Sequence, residues 1–203
     1  MDGELFERIR AHVESSVTKE RYAHSLRTGE FARVMCERYG LDGATGYVAG
    51  VAHDMCKDCG DDELLTLAAR DGGEITTLER AKPSLLHGRA AAVVLRETYS
   101  VTDDALLQAV ACHTFGGEHL CPLAKILFAA DKIEPGRPQS TEKCRMHLLT
   151  LPLDELVLSV LEENIGYLRS RGKQVAYAQI AFRDELRATL RLPPTSGTRE
   201  ATA

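Results

Sequence analysis

No proline interrupts the chain before Pro83, and over that stretch apolar residues return every three or four positions rather than every second one. Such spacing lines one face of an α-helix and cannot line one face of a strand, so the chain must fold as packed helices. Leu5, Ile9, Val13 and Val17 mark a first helix; Tyr22, Leu26, Met35 and Tyr39 mark a second, which Gly40 ends. Val48, Val51, Ala52 and Met55 mark a third, after the turn-like Leu41-Asp42-Gly43. Asp61, Asp62 and Glu63 open a fourth, where acidic side chains suit the positive helix start, and Asp71-Gly72-Gly73 closes it. A looser segment then runs to Pro83. Beyond it the pattern predicts a helix over about 84–99 and another capped by Thr102, carrying Leu106, Leu107 and Val110, which Phe115-Gly116-Gly117 breaks. A further helix starts at Pro122 and stops at Pro135-Gly136-Arg137-Pro138, and two more cover about 153–171 and 175–191. The expectation is an all-α fold: a single helical-bundle domain over residues 1–191 and a flexible C-terminal tail over 192–203.

At 203 residues the chain is the length of one domain, where roughly 100–200 residues each is usual. Its 25 Lys and Arg against 30 Asp and Glu leave a net charge of −5, the wrong sign for gripping nucleic acid through its phosphates. A hydrophobic fraction of 44% suffices for a core, and with no Trp that core must be mostly aliphatic. The longest apolar runs, Ala90 to Leu95 and Ile126 to Ala130, fall far short of the ~20 residues that span a bilayer. Met1-Asp2-Gly3-Glu4 lacks the basic-then-apolar order of a signal peptide, so the expected compartment is the cytoplasm, with no membrane partner. The six cysteines are then expected to be free thiols. Cys56-Lys57-Asp58-Cys59 has C-x-x-C spacing but no second pair to match it, so no zinc or redox role is expected of it. The amphipathic first and last helices could bury their stripes against a second copy, making a homodimer, or against their own domain.

The seven histidines carry the chemistry. His24, His53, His87, His113 and, less clearly, His119 fall inside or at the end of apolar helical stretches. Asp54 follows His53 directly, and Asp131 follows Phe128-Ala129-Ala130, where a lone carboxylate would be costly to bury unless paired or metal-bound. His24, His53-Asp54 and Asp131 are far enough apart to come from different helices, and crossing helices can aim such side chains at one ion. Two nitrogen and two oxygen ligands suit divalent Fe, Mn, Co or Zn. Each residue alone has a plainer reading as a solvated or satisfied core group; the combination is less easily dismissed.

The ordered set resembles the HD-domain metal-dependent phosphohydrolases, an all-α superfamily named for its adjacent His and Asp. It is most similar to the YqeK family, the bacterial symmetrical bis(5'-nucleosyl)-tetraphosphatases. The matching stretches are Arg21-Tyr22-Ala23-His24-Ser25-Leu26, Ala52-His53-Asp54-Met55-Cys56-Lys57-Asp58, Leu85-Leu86-His87-Gly88 and Ala111-Cys112-His113-Thr114. Most specific is Ala129-Ala130-Asp131-Lys132-Ile133-Glu134-Pro135-Gly136-Arg137, and Ile165-Gly166-Tyr167-Leu168-Arg169-Ser170-Arg171-Gly172-Lys173 also fits. After Lys173 the family tends to continue apolar-apolar-His-Pro, whereas this chain has Gln174-Val175-Ala176-Tyr177.

The resemblance implies that His24, His53, Asp54 and Asp131 hold a divalent metal, iron first, with Mn or Co as substitutes. It also implies a nucleotide and phosphate pocket lined by His87, His113, Thr114 and Arg137, with His24, Asp131, Arg171, Gly172 and Lys173 contributing. His87 and His113 could bond phosphoryl oxygens, protonate a leaving group or bind a second ion, and Lys57, one turn past His53, could face the substrate as a positive charge. An arginine just past a Pro-Gly turn, as Arg137 is, can reach a phosphate bidentately. The implied reaction is attack of a water made acidic by the metal on an inner phosphorus of diadenosine tetraphosphate, giving two ADP. Another HD-type nucleotide phosphohydrolase, an oxygen-using two-iron protein and a non-catalytic nucleotide sensor remain the alternatives.

Overall fold

A computed structural model of the protein describes residues 3–193. Eleven α-helices follow one another among them: α1 (Gly3–Ser16), α2 (Lys19–Arg38), α3 (Gly43–Ala52), α4 (Asp61–Ala68), α5 (Thr77–Ala81), α6 (His87–Thr98), α7 (Asp104–Cys112), α8 (Pro122–Ile133), α9 (Glu142–Leu148), α10 (Leu153–Ser170) and α11 (Tyr177–Thr189). Short 3-10 turns at Ala69–Asp71 and Pro83–Leu86 flank α5, and no strand occurs among the described residues. The all-α expectation holds.

Local chemistry explains most helix ends. Thr18 caps α2 by accepting the Arg21 N–H, and Asp42 caps α3 by accepting from Ala44 and Thr45. The cap of α7 corrects the sequence reading: Asp103, not Thr102, accepts from the Ala105 and Leu106 N–H groups. A carboxylate can take both bonds and also complements the positive helix start, so it wins over the hydroxyl beside it. Two helices escaped the sequence reading because they are too short to show a period. The capping box of Thr76 and Glu79 builds α5, and Thr141 caps α9 through the Cys144 N–H. His119 is no helix residue: it sits in a loop with φ of +56°, its side chain 90% exposed.

Helix α8 is the axis of the molecule. Leu123, Ala124, Ile126, Leu127, Phe128, Ala129, Ala130 and Ile133 are all buried, and α2, α3, α7 and α10 pack around them. Phe128 meets Phe182 of α11 edge-on, with ring centroids 5.5 Å apart, in a core otherwise dominated by aliphatic side chains. Helices α2 and α3 cross backbone to backbone: a Cβ on Gly50 would stand 2.5 Å from Gly29 Cα. That approach brings the His24 side of α2 to the end of α3, where His53 and Asp54 follow.

The stripes of the terminal helices are used internally. Ile9 and Val13 of α1, and Phe182 and Leu186 of α11, lie in the chain's own core. Of the expected tail, Leu192 and Pro193 are tied back to α11 by bonds from Leu192 N to Arg187 O and from Arg187 to Pro193 O, and the rest lies outside the described residues. Among the described residues no helix is long and apolar enough to cross a membrane.

Candidate metal centre

Five elements deliver the histidines and carboxylates to one place. His24 comes from the first half of α2, His53 and Asp54 from the end of α3, His87 from the start of α6, His113 from the end of α7 and Asp131 from α8. All four histidines and Asp54 are buried. Donor atoms of His24, His53 and Asp131 lie within 4.8 Å of one another, as do those of His53, Asp54 and His113.

The imidazoles are oriented by one device. His53 Nδ1 donates to Gly50 O at 2.6 Å, His87 Nδ1 to Ser84 O at 2.8 Å and His113 Nδ1 to Val110 O at 2.8 Å. In a neutral ring the proton therefore sits on the outer nitrogen, and Nε2 of each ring faces the centre, those of His87 and His113 standing 2.9 Å apart. His24 uses a carboxylate instead: its Nδ1 donates to Glu134 Oε1 at 3.1 Å, leaving Nε2 3.1 Å from Asp131 Oδ1. Asp54 serves both sides of the cluster. Its Oδ2 lies 3.8 Å from His24 Nε2 and 3.5 Å from His53 Nε2, while its Oδ1 lies 3.0 Å from His87 Nε2 and 3.7 Å from His113 Nε2.

This donor set fits a cation. His53 Nε2 is fully buried and has no hydrogen-bond partner, its nearest carboxylate oxygens standing 3.5 and 3.6 Å away. An orphaned acceptor beside two carboxylates is what a metal ion satisfies. Without an ion the same two carboxylates draw a proton to that nitrogen instead: burial works against ionising His53, yet Asp54 and Asp131 overcome it and raise its pKa to about 10, so a cation and that proton would compete for one position. Asp54, despite its burial, is held well below the usual carboxylate range by His53, His113 and His87, and Asp131 likewise by Lys132 and the histidines. Burial pushes His113 down to about 4, which keeps its ring neutral.

Asp54, His87, His113 and Asp131 of the cluster form the floor of a pocket of about 600 Å³, a size that takes a small organic ligand. Four cations line it: Arg21, Lys57, Lys132 and Arg137. Arg137 donates to Asp131 Oδ1 at 2.5 Å and to Asp131 O at 2.7 Å, which fixes the guanidinium beside the cluster. Arg21 donates to Asp54 Oδ2 at 2.9 Å, and Lys57 Nζ stands 3.2 Å from His87 Nε2. Burial lowers the pKa of Lys57 and of Lys132, with Asp54 and Asp131 opposing it. Thr114 is also in the wall.

Four expected residues are not: His24, which lies in the cluster but does not line the pocket, and three past the end of α10. Arg171, Gly172 and Lys173 are exposed past the end of α10, and the wall is made one turn earlier, by Glu163, Asn164 and Tyr167. Cys56 is buried and Cys59 half-buried, both free thiols, with burial raising the pKa of each. Sequence reasoning gave no role to Arg21, Lys132 or Glu134. For Glu134 a signal was present: a carboxylate at the negative end of α8, just before Pro135-Gly136, is unfavourable unless something holds it. Arg21 stands three residues before His24, on the same helix face.

A buried His-Asp cluster with divalent-cation chemistry, set among crossing helices, defines a class, and comparison with known proteins names it. The HD domain family model matches residues 21–136, more than half of the chain, and this chain belongs to that family. It is 30% identical over 185 residues to the symmetrical bis(5'-nucleosyl)-tetraphosphatase of Halalkalibacterium halodurans, covering 86% of this chain and 92% of that protein. It is 32% identical over 133 residues to the protein of the same name from Staphylococcus aureus, covering 64% of this chain and 67% of that one. In fold it is similar to a crystal structure from Clostridium acetobutylicum described as a predicted HD superfamily hydrolase involved in NAD metabolism. The TM-score is 0.84 at 24% identity, over 91% of this chain and 97% of that one.

Proposed function

We propose that this chain is a cytoplasmic, divalent-metal-dependent hydrolase that cleaves dinucleoside tetraphosphates, diadenosine tetraphosphate first among them, into two nucleoside diphosphates. The observation that carries the reading is the buried His-Asp cluster at the floor of a pocket whose wall supplies Arg21, Lys57, Lys132 and Arg137. His24, His53, Asp54 and Asp131 would hold the ion, with iron the first assignment and Mn or Co able to serve, as the mixed nitrogen and oxygen donors allow. Bound there, a divalent ion supplies Lewis acidity toward a phosphoryl oxygen and makes water acidic.

The chain's own side chains do the rest. Arg137, Arg21, Lys57 and Lys132 hold the polyphosphate and stabilise the charge that collects on the departing diphosphate. His113 and His87, anchored through Nδ1, present Nε2 to the same space, placed to take a proton from the attacking water. The water oxygen joins one of the two central phosphorus atoms, the bond from that phosphorus to the central bridging oxygen breaks, and both halves leave as nucleoside diphosphates.

Changing His53 and Asp54 together to Ala tests this reading. Circular dichroism first establishes that the double variant is folded; it should then lose stoichiometric metal and at least about a thousandfold in turnover, the scale of losing a site's principal electrostatic group. Full hydrolase activity in the folded double variant would remove the assignment.

A further inference from the structure

The pocket changes character along its wall. All four of its cations precede residue 138; from residue 139 onward the wall carries amides, a hydroxyl, a thiol, a carboxylate and one aromatic ring, but no cation. The aromatic ring is Tyr167, which is 52% exposed and so lies at the solvent rim of the wall, whereas Asp54, His87 and His113 of the floor are buried. Asn164 is three residues earlier on α10, on the same face of the helix, and is also in the wall. Both lie beyond the stretch matched by the HD domain model.

Asn164 is oriented by its neighbours. Ala176 N donates to Gln179 Oε1 at 3.1 Å, which fixes the buried Gln179 amide, and Gln179 Nε2 then donates to Asn164 Oδ1 at 2.9 Å. The carbonyl of Asn164 is thereby engaged, and its Nδ2 donors are the group left for the pocket. Arg171, one turn past Tyr167, lies over the Tyr167 ring at 5.7 Å from its centroid and steadies it.

We infer that Tyr167 and Asn164 form the nucleoside end of the pocket. One base of the substrate stacks on the Tyr167 ring and accepts a hydrogen bond from Asn164 Nδ2, while the phosphates run inward to the cations and the floor. The inference rests on the nucleotide reading above and gives it a polarity: base at the rim of α10, phosphates at the cluster. Arg171, exposed and outside the wall, contributes by holding the ring, not by touching phosphate.

The test compares two ligands on the metal-loaded protein by calorimetric titration: ADP, which has a base, and inorganic pyrophosphate, which has none. Tyr167→Ala should weaken ADP by about tenfold or more, as loss of one base stack does, and leave pyrophosphate within about twofold. Tyr167→Phe, which keeps the ring, should bind ADP as the parent does. Asn164→Asp, which still accepts from Gln179 but has lost its donors and gained a charge, should weaken ADP by more than it weakens pyrophosphate, the excess being the lost hydrogen bond to the base. Unchanged ADP affinity in Tyr167→Ala, or a parallel loss of both ligands, would overturn the assignment. Failure of the parent to cleave diadenosine tetraphosphate would sink the substrate reading alone, since ADP against pyrophosphate still decides the subsite. A parent that binds neither ligand would remove both.

Discussion

Glu134 is only 1% exposed, yet it carries a charge at the end of a helix that disfavours one. It is retained there by its donors. Arg27 Nε donates to it at 2.8 Å and Arg27 Nη2 at 3.2 Å, His24 Nδ1 at 3.1 Å, and the Gly136 N–H donates as well. One carboxylate therefore orients His24, the proposed metal ligand, and also shapes the Pro-Gly turn that aims Arg137. In Glu134→Ala, the Arg27 side chain, 41% exposed, can turn to water, and Gly136 is exposed too. His24 Nδ1–H is buried and cannot; only the long contact to Thr28 Oγ1 at 3.5 Å is left to it, and a buried donor so poorly paired costs about 1–3 kcal/mol. With part of the Arg27 bond added, the expected destabilisation is roughly 2–3 kcal/mol, or about 4–12 °C in Tm for a chain of this length. The larger signal is in metal affinity, which should fall about 10–100-fold because the ring that presents Nε2 is no longer held. Glu134→Gln keeps an acceptor for Arg27 and Gly136 and should fall between. Calorimetry gives Tm and competition with a chromogenic chelator gives the affinity. A lowered Tm with metal affinity within about twofold of the parent would refute the positioning role.

Gly50→Ala should cost about 1–3 kcal/mol or more, since the new methyl meets Gly29 backbone at 2.5 and 2.6 Å, and backbone cannot rotate away. Prising α2 from α3 also separates His24 from His53, so metal affinity should fall with stability; a parental Tm in calorimetry would contradict this. Arg89 grips Asp71 with two bonds, 2.6 and 2.8 Å long, and holds the Gly73 and Glu74 carbonyls, tying the loop before α5 to the helix that opens with His87. Burial works to raise the Asp71 pKa, but Arg89 lowers it below the ordinary value, so its contribution is present above the unfolded value of about 3.9 and is lost as pH falls through the folded one. Urea melts of Arg89→Ala should thus show a deficit of about 2 kcal/mol near neutrality, between a surface and a buried pair, that shrinks below about pH 4; a deficit independent of pH would refute it. Stripping the metal with dipicolinate should lower Tm by about 5–11 °C if the ion had been present at ~100 times its Kd, and readdition should restore it. An unchanged melting curve would argue against a resident ion.

The parts legible in the sequence were those with local signatures. Long amphipathic helices show their period, and Pro122 and Gly40 punctuate where they should. The His24, His53-Asp54 and Asp131 stretches stood out because a charged or imidazole group in an apolar run demands a partner, and the fold brings them within reach of one another. What stayed hidden was short or tertiary. Helices α5 and α9 span 5 and 7 residues, too few to repeat a pattern. The roles open to Arg21, Lys132 and Glu134 arise only once α2 and α8 pack together. The stretch Arg171-Gly172-Lys173 was expected at the pocket, but α10 ends there: Gly172 takes φ of +63° and the chain turns away, leaving Asn164 and Tyr167 at the wall.

The most direct test of the account is anion-exchange analysis of the products formed from diadenosine tetraphosphate with the protein and Fe(II), Mn or Co. The account predicts ADP as the sole nucleotide product, dependent on the added metal. AMP together with ATP, or no turnover with any metal while ADP still binds, would contradict it.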